Sequence, residues 1–225
     1  MGYHIDTGLI KDKFKENHFC PLCEIKKIVE EQYLYEFLND AVMEDCTRAK
    51  VNKLGFCSRH FDMLFSRQNK LGLALQTSTR LDNIKDLFLK PKNYVSAKKL
   101  SDKIDKSQKT CIVCDYVNES MVKYYKTTAQ LFLNEKTFRT EFLKSNGFCM
   151  EHYSMLLKYS KGAGFLIKEY LDALVSLQTK AFNDKKENLK YFCDKHDYRN
   201  RTKPLGNAEN ALPDIRDALY GKKHD

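Results

Sequence analysis

The residues best suited to chemistry in this chain are cysteines and histidines that recur with the same spacing. Two copies of a CxxC pair are each followed by a CxxH pair, after 33 residues in the first copy and 34 in the second. A Gly-Phe dipeptide precedes the CxxH pair in both copies. The eight residues are Cys20, Cys23, Cys57 and His60 in the first copy, and Cys111, Cys114, Cys149 and His152 in the second. A chance cluster of cysteines would not repeat its spacing and its flanking residues.

Three thiolates and one imidazole are the ligands of a closed, tetrahedral zinc site. We therefore expect two Zn²⁺ ions per chain, one held by the four residues of each copy. Four protein ligands leave no position for a substrate or an activated water, so both sites are expected to be structural rather than hydrolytic. Iron–sulfur ligation fits less well because one ligand is a histidine, and a thioredoxin-like redox pair would need a βαβ context.

The elements that must position these pairs are helices. Apolar residues after Cys23 follow helical spacing, and no stretch of useful length alternates with period two. Gly55 and Gly147 are each expected to end a helix just before a CxxH pair. The expected helices of the first half cover roughly residues 23–37 and 40–54, a third from residue 57, and 72–89, and the second half repeats this order from Cys111. The sequence thus predicts an all-α fold.

Turn residues divide each half into an outgoing and a returning arm. Asn39 lies 16 residues after Cys23 and 18 before Cys57, and Asn134 divides the second copy into 20 and 15 residues. At about 1.5 Å per helical residue, each arm spans roughly 22 to 30 Å. Antiparallel arms of nearly equal length would return the CxxH pair to the CxxC pair of its own copy. The sequence therefore predicts two zinc-clipped helical hairpins, each followed by a long helix.

The repeats predict four segments along the chain. Residues 1–90 and 111–190 form the two helical repeats, and residues 91–110 form a basic linker with room for a short helix at 98–106. Residues 191–225 form an irregular tail with one short helix after Pro213, at 214–220.

Composition favours a packed globule, with 42% hydrophobic and 12% aromatic residues. No window approaches 18 consecutive apolar residues and no secretory signal is evident, so we expect a cytoplasmic protein with no membrane partner. In a reducing compartment, eight cysteines are expected to be ligands or free thiols rather than disulfides.

The positive charge is uneven. The formal net charge is +9, and residues 90–109 hold seven Lys against two Asp. Residues 185–203 hold seven Lys or Arg against three acidic residues. Basic segments attract nucleic acid, although solvated surface lysines give the same pattern.

Two weaker groups of residues lie in the tail. Cys193 and His196 form a third CxxH pair with no CxxC of its own, so a site there would need scattered ligands such as Cys46, His18 or His4. The polar cluster in the tail, the only candidate for an enzymatic site, comprises Asp197, Tyr198, Arg199 and Arg201. No Walker loop, dinucleotide-binding turn or nucleophile elbow accompanies it, so an enzyme is the less favoured interpretation.

Several of these motifs together resemble a family of unknown function, bacterial and frequent in anaerobes. The resemblance rests on His4-Ile5-Asp6, the CPLC and GFCxxH motifs, Leu71-Gly72-Leu73-Ala74 and the tail from Asp197-Tyr198-Arg199 to Pro213. The family implies no activity, and its variation at the tail implies that Cys193 and His196 are incidental. The sequence therefore favours a zinc-binding interaction or scaffold module whose partner is an unknown protein or nucleic acid. The alternatives are a nucleic-acid-binding protein and a thiol-based redox or metal sensor.

Overall fold

The computed structural model describes residues 7–39, 42, 44–195 and 204–222. This part of the chain is largely helical and contains no β-strand. Its eleven α-helices are α1 (Thr7–Lys15), α2 (Pro21–Asn39), α3 (Asp45–Leu54), α4 (Ser58–Phe65), α5 (Lys70–Ile84), α6 (Tyr94–Gln108), α7 (Ile112–Asn134), α8 (Lys136–Lys144), α9 (Met150–Lys158), α10 (Ile167–Lys195) and α11 (Ala211–Tyr220). The all-α fold class is confirmed.

The repeat in the sequence is also a repeat in the order of helices. Helices α2 to α5 and α7 to α10 each run from a long helix to a short helix, then to a helix that begins at the CxxH pair, then to another helix. Short 3₁₀ segments, Lys85–Phe88 and Ser160–Leu166, adjoin the last helix of each series. The predicted sequence of elements in each half is therefore confirmed.

The basic stretch 91–110 contains more regular structure than expected. It forms the fifteen-residue helix α6 rather than a linker with a short helix. Asn93 begins this helix with a capping box, in which its side chain accepts from the Ser96 amide while the Ser96 hydroxyl accepts from the Asn93 amide. A capping box satisfies two amides that would otherwise lack partners, and it stabilises a helix with few buried residues.

The contacts divide the chain into two compact units. The first unit comprises Met1–Lys27 with Met121–Asp225, and the second comprises Ile28–Ser120. The boundaries of these units reflect packing rather than the repeated motifs, so they differ from the boundaries of the four predicted segments. The four segments stay a prediction.

An aromatic cluster forms the core of the first unit. The Phe142 ring stacks on Phe14 with centroids 5.7 Å apart and meets Phe132 edge-on at 5.3 Å. Tyr170 completes the cluster 5.5 Å from Phe142, and it is fully buried. Aromatic pairs of this geometry contribute beyond the area that they bury, so helices α1, α7, α8 and α10 are held by one cluster.

The second unit is held by α5 and its polar contacts to neighbouring backbone. The buried Gln76 amide donates to the Val42 carbonyl. The Arg80 guanidinium donates to the Asn52 carbonyl and to the Ser107 hydroxyl, which ties α5 to α3 and α6. These contacts place the end of α3, and with it the start of α4, against α5.

Gly147 occupies the turn that leads into the second CxxH pair. Its φ is 97°, and a Cβ there would lie 2.6 Å from the Ala181 Cβ. The next residue, Phe148, is fully buried, and its amide and carbonyl both bond to the side chain of Gln178. Helix α10 therefore fixes the approach to α9 by steric fit and by two hydrogen bonds.

We expect Gly147→Ala to lower the free energy of unfolding by about 2–4 kcal/mol, because it combines an unfavourable φ with a steric clash. The matched control is Gly206→Ala, since Gly206 has a φ of 52° with nothing within 4 Å of its Cβ position. That substitution should cost only about 1 kcal/mol. Urea unfolding followed by circular dichroism measures both, and equal effects would show that the Ala181 contact is unimportant.

Candidate metal centres

The eight predicted ligands form two groups, but their pairing differs from the prediction. The first centre comprises Cys20, Cys23, Cys149 and His152, and the second comprises Cys57, His60, Cys111 and Cys114. Within each group, the candidate ligand atoms all lie within 4.8 Å of one another. The prediction that each copy binds its own ion is therefore wrong, because each CxxC pair meets the CxxH pair of the other copy.

The helix lengths explain why the pairing was mispredicted. Helix α2 has 19 residues and α3 has 10, so α2 is about 28 Å long and α3 only about 15 Å. Helix α7 has 23 residues and α8 only 9. The equal arms inferred from residue counts assumed continuous helices on both sides of the turn. The returning helix is in fact about half as long as the outgoing one, so it does not retrace it.

All four ligand pairs lie at the N-terminus of a helix. Cys20 and Cys111 directly precede α2 and α7, and Cys57 and Cys149 are the N-cap residues of α4 and α9. The second ligand of each pair is the third residue of the helix, so one turn directs both side chains to the same point. A helix N-terminus carries a positive partial charge that stabilises thiolates.

The spacing of the ligand atoms in both centres is that of a tetrahedral metal site. In the second centre, His60 Nδ1 lies 3.2 Å from Cys57 Sγ and 3.3 Å from the sulfurs of Cys111 and Cys114. In the first, His152 Nδ1 lies 3.2 to 3.4 Å from three sulfurs. Ideal tetrahedral zinc places a sulfur and a nitrogen about 3.5 Å apart and two sulfurs about 3.8 Å apart. The Cys23–Cys149 and Cys57–Cys114 sulfur distances are 3.7 and 3.9 Å.

The second centre has a polar network behind its histidine. Glu30, 4% exposed on α2, accepts a hydrogen bond from His60 Nε2 at 2.8 Å and two from Arg59 at 2.6 Å. Burial would raise the pKa of Glu30, but the bonds from His60 and Arg59 lower it to about 2. A carboxylate on the outer nitrogen fixes the tautomer in which Nδ1 is free to bind a metal.

The first centre is enclosed differently. Its four candidate ligands are all buried, and within the described residues His152 Nε2 has no hydrogen-bond partner. The chain after α11 covers its sulfurs, because a Cβ on Gly221 would lie 3.8 Å from Cys149 Sγ and 3.9 Å from Cys23 Sγ. Lys222 holds this segment through a 2.8 Å ion pair with Glu24.

The thiols of each centre share protons unevenly. In the second centre, a hydrogen bond with Cys114 lowers the pKa of Cys111 to about 3, and the same contact raises the pKa of Cys114. In the first, hydrogen bonds with Cys20 and Cys23 lower the pKa of Cys149, and the contact with Cys149 raises the pKa of Cys23 to about 12. Each cluster therefore has one favoured thiolate, Cys111 or Cys149, beside a thiol that keeps its proton, Cys114 or Cys23, and a divalent cation would displace that proton.

Among the described residues, the other candidate ligands do not join a centre. Cys46 on α3 and Cys193 on α10 are exposed, and His18 contacts Glu16. His4 and His196 lie outside the described residues, as does the polar cluster comprising Asp197, Tyr198, Arg199 and Arg201. Sequence analysis missed Glu30, although an acidic residue beside the apolar positions of α2 was the available signal.

The chain belongs to a family of unknown function, DUF6062, whose model matches residues 1–225. No curated protein and no solved structure matches the chain. The resemblance found in the sequence is confirmed, and it extends over the whole chain. None of the helices in the described part of the chain has the length and apolar character needed to cross a bilayer.

We expect Glu30→Ala to weaken the binding of one zinc ion by about 10- to 100-fold, because His60 would lose the carboxylate that orients it. Competition with a chromogenic chelator, resolved into two sites, measures this change. Glu31→Ala is the matched control, since Glu31 pairs with Arg67 at the surface and contacts no candidate ligand. Equal effects of the two substitutions would contradict a role for Glu30 in positioning His60.

Proposed function

We propose that the chain is a structural zinc protein that binds two Zn²⁺ ions and acts as an interaction or scaffold module. A single observation carries this proposal. The described residues include two separate groups, each of three cysteines and one histidine. Within each group the ligand atoms lie within 4.8 Å of one another, which is the spacing of a tetrahedral site. The proposed ligands are Cys20, Cys23, Cys149 and His152 for one ion, and Cys57, His60, Cys111 and Cys114 for the other.

The ligand chemistry favours zinc over other metals. Three thiolates with one imidazole suit a soft or borderline ion in tetrahedral geometry, whereas magnesium, calcium and manganese prefer oxygen ligands. Iron–sulfur clusters are usually held by four thiolates. The protein fills all four positions, so a substrate or a water has no place at the ion. A structural role follows from this coordination.

A cytoplasmic location is part of the proposal. All eight cysteines lie in the described part of the chain, and none of them is in a disulfide. Reducing compartments keep thiols available as metal ligands.

The interaction role is supported by an exposed surface in the second unit. Residues 87–101 contain four lysines and no acidic residue. Phe88, Leu89, Tyr94 and Val95 are 59% to 79% exposed within this stretch, which we call the α6 surface. A cluster of exposed apolar side chains marks a site of interaction. Leu89 and Val95 are aliphatic and do not stack on bases, so a protein partner with acidic and apolar groups fits the α6 surface better than nucleic acid.

Paired serine substitutions test the two zinc sites and their ligand pairing together. We expect Cys20→Ser/Cys149→Ser to retain about one zinc per chain, because both changes remove ligands of one centre. Cys20→Ser/Cys57→Ser should retain none, because it damages both centres. Elemental analysis of protein purified without chelator measures the stoichiometry, and wild type should contain about two zinc ions.

The control is Cys46→Ser/Cys193→Ser, which removes two exposed thiols that belong to neither centre and should retain both ions. The reverse result, with one ion left after Cys20→Ser/Cys57→Ser and none after Cys20→Ser/Cys149→Ser, would restore the pairing within each copy. Wild-type protein without zinc would overturn the proposal.

Nucleic-acid binding is the second candidate function, since exposed aromatic rings beside lysines can stack on unpaired bases. If the chain is a protein-interaction module, we expect it to bind a labelled oligouridylate of about 20 nucleotides only weakly. Wild type and the variant Lys90→Gln/Lys92→Gln/Lys98→Gln/Lys99→Gln should then bind it equally. Fluorescence anisotropy between about 50 and 200 mM salt makes the comparison. Tight binding by wild type would favour nucleic acid instead. In that case the slope of log K against log salt concentration should be smaller in the variant by about 0.7 per lost lysine contact.

A further inference from the structure

The two centres have the same ligand types but unequal access to solvent. All four candidate ligands of the first centre are buried. In the second centre His60 and Cys111 are buried, whereas Cys57 and Cys114 are partly exposed. Oxidants react with cysteines according to exposure and thiolate character. The chain therefore carries a shielded centre and an accessible one.

The shielding of the first centre has identifiable parts. Gly221 lies against the sulfurs of Cys23 and Cys149, and the Lys222–Glu24 ion pair ties this segment to α2. Phe148, the residue before Cys149, is fully buried and its backbone is held by Gln178. Gly221 therefore covers Cys23 and Cys149, which correspond to the accessible Cys114 and Cys57 of the second centre.

The two accessible sulfurs of the second centre are also neighbours. Cys57 Sγ and Cys114 Sγ are 3.9 Å apart, so they can form a bond after a small movement once the metal no longer holds them. The guanidinium of Arg59, which pairs with Glu30 and has 48% of its side chain exposed, follows Cys57 by two residues. A cation beside thiolates favours the approach of a polar oxidant and the departure of hydroxide.

We propose that Cys57 and Cys114 form a peroxide-reactive site, at which oxidation to a disulfide releases the zinc of the second centre while the first centre keeps its ion. This inference rests on the proposed zinc sites and adds a modification to one of them. The oxidant is hydrogen peroxide.

The chemistry balances with peroxide as the only co-reactant. One thiolate attacks a peroxide oxygen, so an S–O bond forms, the O–O bond breaks and hydroxide leaves. The second thiolate then attacks the sulfenic acid sulfur, so the S–S bond forms, the S–O bond breaks and a second hydroxide leaves. Two thiolates are oxidised by two electrons in total, and with two protons the peroxide is reduced to two waters. Zinc loses two of its four ligands and dissociates.

The disulfide would replace the ion as the link between the two helix starts. Cys57 precedes α4 and Cys114 lies in the first turn of α7, so these segments stay joined after oxidation. His60 and Cys111 lose their metal. The reaction therefore changes the ligands of the second centre without requiring the helices to separate.

The test uses the full chain with Cys46→Ser/Cys193→Ser, loaded with zinc, so that free surface thiols do not consume peroxide. A chromogenic chelator follows zinc release during a peroxide titration, and mass spectrometry of unreduced peptides identifies the disulfide. We expect one of the two ions to leave at least about tenfold faster than the other, with the Cys57–Cys114 disulfide formed in step with it. Reduction with a dithiol and re-addition of zinc should restore the centre.

Two histidine substitutions separate reactivity from metal binding. Cys114→His keeps four ligands of types that zinc accepts but removes one sulfur of the reactive pair, so the fast release should disappear. Cys23→His makes the corresponding change in the first centre and should leave the fast release and the disulfide intact.

The possible outcomes are distinct. Equal release from both centres, faster release from the first centre, or release without the Cys57–Cys114 disulfide would each overturn the inference and leave the zinc sites in place. A chain that carries no zinc before peroxide is added would overturn the proposed function, and this inference with it.

Discussion

The structure depends on bringing the N-termini of four helices together in two pairs, each around three sulfurs and an imidazole. Two helix ends contribute about half a positive charge each, and three thiolates with Zn²⁺ and a neutral histidine carry a net charge of −1. The two contributions would offset one another at each centre that holds the proposed Zn²⁺. Protonated thiols would provide neither the negative charge nor bonds to a metal, so the positive ends of the two helices would repel each other without compensation. With the proposed Zn²⁺ ions bound, the residues that begin α2, α4, α7 and α9 would therefore hold these helix ends together.

The exchanged pairing makes both centres link distant parts of the chain. Contacts between a CxxC ligand and a CxxH ligand join residues 126 to 132 positions apart in the first centre and 51 to 57 positions apart in the second. The entropic cost of closing a loop grows slowly with its length but has to be met before the contacts form. The second centre closes the shorter loop, so it can form before the first. Each centre joins residues from both copies of the repeat.

Sequence analysis could predict the ligands because their spacing reflects the geometry of a single helical turn. The all-α class and the helix ends near the glycines before both CxxH pairs were also predictable, because they too depend on local sequence patterns. The pairing was not, because two CxxC and two CxxH pairs allow two assignments with identical local geometry. The choice depended on how far each returning helix extends. Helix α3 begins at Asp45 rather than near Asn39, and Val42, ahead of it, makes a tertiary contact with Gln76 that local patterns do not predict. Glu30 could not be assigned to His60 until the packing placed them together.

The charges around the centres supply a reason for the exchanged pairing. The residue before the histidine is Arg59 in one copy and Glu151 in the other, and each pairs with a residue of α2: Arg59 with Glu30, and Glu151 with Lys26. If the two CxxH helices changed places, Arg59 would face Lys26, and Glu151 would face the buried Glu30. The surface contact alone would cost little, because exposed ion pairs contribute at most about 1 kcal/mol. Placing a second carboxylate beside Glu30 would cost more, since a buried charge requires a partner of opposite sign. Unfavourable contacts in the alternative assignment give specificity where the ligands themselves provide none. The repeat therefore supplies equivalent ligands, and the divergence of one position between the copies selects their partners.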